Sequence, residues 1–192
     1  TDPLRNRGIG LIAMLNVREI DRKIVLNRLS WEAAAGVESI WTSPPDLPPL
    51  TDDDVLTPDE AIAELNAIDE DLRVLPATHE ASIAVRLTFA RVQRATGFPQ
   101  GAASWLKTVH RALAELGDSA RTLRILVTDV LVSDLRQANE LEDLADAYRH
   151  LIADREAAGD TYAALLDRRC LATALSMTPD KYPWEQHRHL NA

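Results

Sequence analysis

A chain of 192 residues is long enough to bury one core, as a single domain or a domain with an arm. Apolar residues make up 46%, charged residues 27% and aromatics 5%, with only 7 glycines. That balance excludes collagen-like and disordered chains, disfavours a β-sandwich and favours helices. A net charge of −9 repels phosphate backbones, so nucleic acid is disfavoured as a partner.

The charge is unevenly spread. Residues 46–80 carry 11 acids against Arg73 alone, and residues 81–124 carry 7 basic side chains against Glu115 and Asp118. This layout predicts that the basic block (Arg86, Arg91, Arg94, Lys107, Arg111, Arg121, Arg124) meets an acidic surface, its own or a partner's. The acidic segment 46–80 is the nearest candidate to fold over it. A single cysteine, Cys170, forbids an intrachain disulfide and suggests a reducing compartment, most simply the cytoplasm. The apolar run Ile9–Leu15 falls far short of the roughly 20 residues that span a bilayer, so no membrane association is expected.

Ile9 to Val17 mixes β-branched residues with glycine and fits either a buried helix or a short strand. Val17 to Leu29 reads as helix, and Ser30 is placed to cap a short one from Trp31 to Trp41. Residues 42–57 hold two proline pairs and form an acidic, extended linker. Thr57-Pro58-Asp59-Glu60 is a capping box, followed by Ala61, Leu65, Ile68 and Leu72 at helical spacing. A helix from about Thr78 to Thr96 carries two apolar stripes, Ile83/Leu87/Ala90 and Val85/Phe89/Val92, as a helix between two neighbours would. The next, Gln100 to Leu116, ends at Gly117 and puts Trp105 and Val109 on its apolar face. Residues 120–136 are rich in β-branched side chains, yet Leu123, Leu126, Val127, Val130 and Leu131 fit a helical face better than they alternate. Leu141–Ala157 is amphipathic and ends at Gly159, and Asp160 caps a last helix running to about Met177. The short turns imply antiparallel neighbours. The expected fold is all-α, a helical bundle or stacked antiparallel hairpins with an N-terminal arm. Its divisions are a helical segment (1–41), the linker (42–57), the bundle (58–178) and an irregular tail (179–192).

Leu144, Ala145, Tyr148 and Gly159-Asp160 resemble part of a tetratricopeptide unit. The Gly-Asp turn lies too far beyond Tyr148 for that repeat, and the period has no second copy, so no function follows from it. Catalytic signatures are missing as well. His79-Glu80 lacks the second histidine of a zinc protease, and no Glu-x-x-His supplies a dimetal ligand pair. Gly8-x-Gly10 lacks the third glycine of a phosphate loop, and Gly-x-Ser-x-Gly is absent. Cys170 with His187 and His189 leaves a zinc site one ligand short on a proline-bounded tail. Neither a metal nor a cofactor is expected.

Two acids break the helical pattern. Asp134 falls among Leu123, Val127 and Val130, and Asp167 near Leu171 and Ala174. A carboxylate aimed into an apolar layer must be paired, hydrogen-bonded or protonated. The pair therefore marks either structural ion pairs or a ligand cavity. By contrast, Asp143, Asp146, His150 and Asp154 form one stripe opposite Leu144 and Leu151, which predicts a solvated acidic face. Cys170 is expected to be a buried, inert thiol. Trp31, Trp41 and Trp184, near segment ends, are candidate interface anchors. The expected function is a non-catalytic helical interaction or regulatory module that binds another protein or itself. The alternative is a bundle that binds a small molecule near Asp134 and Asp167.

Overall fold

A computed structural model of the protein describes residues 3–25 and 56–177. The linker between residues 42 and 55, the segment containing Trp31 and Trp41, and the tail with Trp184, His187 and His189 lie outside the described residues. Seven α-helices occur among the described residues, and no strand. They are α1 (Pro3–Val25), α2 (Pro58–Asp71), α3 (Glu80–Ala95), α4 (Pro99–Glu115), α5 (Arg121–Ala138), α6 (Leu141–Ala157) and α7 (Thr161–Ser176). The two helix-or-strand ambiguities both resolve to helix. In residues 121–138 the 3.6-residue recurrence of leucine outweighs the β-branched content.

Local chemistry sets the helix ends. Thr57 Oγ1 accepts from the Glu60 amide at 3.3 Å, and the Thr57 amide donates to Glu60 Oε2 at 2.8 Å, completing the capping box that starts α2. His79 Nδ1 accepts from the Ala81 amide at 3.2 Å and starts α3. α1 passes directly over that cap. A Cβ on Gly10 would lie 2.6 Å from His79 Cε1, so glycine is what permits the approach. Asp160 Oδ1 accepts from the Ala163 amide at 3.1 Å and starts α7.

Successive helices pack on one another from α3 to α7, while α1 and α2 pack together and both lie against α3. Two cores result. Ala13, Val17 and Ile20 of α1 join Leu65, Ile68 and Leu72 in the first. The second fills the space between α3 and α7 around Leu106, Val109, Leu131, Leu135, Leu151 and Leu171. α3 is buried almost all round and serves both: Val85, Phe89 and Val92 belong to the first core, Ile83, Leu87 and Ala90 to the second. These are the two stripes predicted for it. Trp105 of α4 touches both cores and stacks on Phe89, ring centroids 4.5 Å apart and planes 7° from parallel.

Candidate functional site

Four members of the basic block, Arg94, Lys107, Arg121 and Arg124, pair with acids of α5, α6 and the turns beside them. Arg94 Nε of α3 lies 3.0 Å from Asp134 Oδ1 of α5. Lys107 Nζ of α4 reaches Glu140 Oε2 at 2.8 Å and also pairs with Asp143. Arg124 of α5 grips Asp154 of α6 with two nitrogens, Nε at 2.6 Å from Oδ2. Arg124 Nη1 also donates to the Gly117 carbonyl at 3.0 Å. Arg121 pairs locally with Asp118. In each case a helix is tied to a neighbour or to its own turn.

These pairs correct the reading of the α6 stripe. Asp146 is exposed, but Asp154 is 9% exposed and locked to Arg124. His150 stacks on His110 of α4, centroids 5.1 Å apart. Three of the four stripe residues, Asp143, His150 and Asp154, therefore meet another helix. Helical phase locates a face but not what neighbouring arginines do with it. Burial, then the nearby His150 and Arg124, lower the pKa of His110 against the opposing pull of Asp154. His110 Nε2 is buried without a hydrogen-bond partner.

Asp134 and Asp167 are both buried, as their phase predicted, and they are held apart in separate pairs. Asp134 has no exposed side-chain surface. Arg94 Nε sits beside it but off the line of a hydrogen bond, so neither carboxylate oxygen accepts one. Burial outweighs the Arg94 charge and pushes the Asp134 pKa up to about 6. Asp167 Oδ2 accepts from Arg155 Nη1 at 2.8 Å, while Arg155 Nη2 spans both oxygens of Asp129 at 2.6 Å. Burial likewise raises the Asp167 pKa, against the pull of Arg155. Cys170 is half-buried rather than fully enclosed, packed beside the second core. Its neighbour Tyr148 has its pKa pushed up to about 12, by burial first and then by Cys170. Among the described residues, no group of three or more His, Cys, Asp or Glu is placed to hold a metal ion. None of their helices is long and apolar enough to cross a membrane.

Open apolar surface lies elsewhere, at the two ends of the stack. On α1 the small residues Gly10 and Ala13 face inward with Val17 and Ile20, which leaves Leu11, Ile12 and Leu15 outward, about 60% exposed. Beside them runs a groove of about 450 Å³ between α1 and α2. Its walls are Ile9, Ile12, Ala13, Ile68 and Val74, and its rim is Arg5, Glu70 and Asp71; neither Asp134 nor Asp167 touches it. At the other end, α7 exposes Tyr162, Leu165 and Leu166. Sequence reasoning missed both surfaces. The sequence carries no signal that separates the faces of α1, because large apolar residues occupy both phases, Val17 and Ile20 inward and Leu11, Ile12 and Leu15 outward. No family model, curated protein or solved structure matches the chain.

Proposed function

We propose that this chain is a non-catalytic helical module that holds another protein chain. The observation that carries this reading is the exposed apolar face of α1, Leu11, Ile12 and Leu15, lying along the α1–α2 groove. Apolar side chains that cluster in the open beside a groove, with polar groups at its rim, are characteristic of protein contact surfaces. The buried charged groups support the same reading. Asp134, Asp154 and Asp167 each face an arginine from another helix, an arrangement that fixes helix packing rather than presenting a reactive group to a substrate.

The test is affinity purification of wild type and of Ile12→Glu from native extract, with far-UV circular dichroism confirming that both are folded. A partner in fixed stoichiometry with wild type, and lost from Ile12→Glu, is the expected result. Equal recovery of every associated protein by the two folded forms would overturn the assignment of this face.

A further inference from the structure

Among the described residues α7 is the last helix of the stack, and its outer face is largely apolar. Tyr162, Leu165, Leu166, Arg169, Thr173 and Met177 are all exposed, and at 100° per residue they fall within an arc of about 120°. Four of the six are large and apolar. A helix at the end of a stack has no neighbour beyond it, and a polar outer face is what keeps such an end in water. α7 does the reverse. It turns its only acid, Asp167, inward to Arg155 and leaves Tyr162 73% exposed. The sequence brings a cover to this place. Residues 178–192 leave from the C-terminal end of α7 and carry Tyr182, Trp184 and Leu190. Pro179 stops α7 from continuing into them.

Independently of the interaction reading above, which concerns the other end of the stack, we propose that residues 178–192 fold back along the outer face of α7, with Trp184 on Leu165 and Leu166. The chain then caps its own stack at this end and leaves the α1–α2 end as the open one. The distances agree. At 1.5 Å per residue, Leu165 and Leu166 lie about 17 Å back along α7 from Met177. Residues 178–184 span about 23 Å when extended, enough to turn and lay the indole on that pair. Asp180 and Glu185 balance Lys181 and Arg188, so no net charge opposes docking beside Arg169. Tethering decides between this occupant and others. A segment fixed at the end of the face it covers is present there at an effective concentration on the order of 1 mM, against which a separate chain must compete. Residues 26–55 are fixed elsewhere, between α1 and α2 at the opposite end of the stack.

Trp184 reports the contact in the full chain. Its own emission is the difference between wild type and Trp184→Phe, recorded with iodide as quencher and with circular dichroism as the check on folding. In wild type Trp184 should be shielded from iodide, and dilution should not unshield it. Leu165→Asp should raise its quenching to the level measured in urea, whereas Ile12→Asp, at the other end of the stack, should leave it shielded. A second arm leaves α7 unaltered. A photoreactive benzoylphenylalanine in place of Trp184 should cross-link, within single chains, to the peptide that spans residues 161–177. Quenching of Trp184 in folded wild type at the urea level overturns the proposal. So does shielding that dilution removes, which makes the cover a second copy, or shielding that Ile12→Asp removes and a folded Leu165→Asp does not. Cross-links made mainly to other helices, or only between chains, overturn it as well.

Discussion

Asp134 is the residue at which the energetics of this fold are most exposed to experiment. Its carboxylate has no accessible surface and no well-directed hydrogen bond, and Arg94 offsets only part of the cost of charging it there. With a folded-state pKa of about 6 against an ordinary value of 3.8, the folded protein holds this proton more tightly than the unfolded chain. The associated stability is fully present below pH 3.8 and lost as pH rises through 6, a change of about 3 kcal/mol in all. His110 has the opposite sign. Its lowered pKa favours the neutral imidazole in the fold, so its contribution is present above pH 6.5 and lost as pH falls through its folded value. The wild-type profile alone mixes the two. The difference between wild type and Asp134→Asn isolates the first. The substituted amide does not titrate, so from about pH 4 to about pH 7.5 the variant should gain about 2 kcal/mol relative to wild type, most of the full change. Urea midpoints at both pH values measure this. A difference that does not change with pH would mean that the ionised carboxylate is solvated or better paired than its geometry implies.

Helix ends show where sequence patterns suffice and where they fall short. Gly97, Gly117 and Gly159 are legible as stops, and all three adopt positive φ. The end of α5 is made differently. Asn139 sits at φ 58°, its amide donates to the Arg136 carbonyl at 3.2 Å, and the Glu140 amide donates to the Leu135 carbonyl at 3.0 Å. This is the paired-bond Schellman stop, built on asparagine. We expect Asn139→Val to lower stability by about 1–2 kcal/mol, because a β-branched residue resists the left-handed conformation. Asn139→Gly should be neutral or mildly stabilising, and thermal denaturation distinguishes the two. Apolar periodicity made the rest of the elements readable, including the double stripe of α3, since burial on two sides leaves two phases of apolar residues in one segment. The candidate surfaces were less readable, for a related reason. On α1 both faces are apolar, and only packing against α2 and α3 decides that Val17 goes in and Ile12 stays out. The phase of Asp154 resembles that of a solvent-facing acid, because nothing in α6 itself reveals that Arg124 reaches it from α5.

At the scale of the described residues, two cores share one helix. α1 and α2 close the first and α4 to α7 build the second. Apart from α3, the contact that belongs to both is Trp105 stacked on Phe89. Cooperativity between the halves should therefore depend on this ring more than its half-buried position suggests. Trp105→Ala removes packing from both cores at once and should cost about 2–4 kcal/mol. The loss should be unevenly shared. α5, α6 and α7 keep their mutual contacts and their arginine–carboxylate ties, whereas α1 and α2 retain only α3 as a foundation. Native-state hydrogen exchange should then find α1 and α2 amides opening at lower free energy than those of α5 to α7, where wild type opens both together. An equal drop in protection across all seven helices would show that α3 alone couples the cores, and that the stacked rings only fill space.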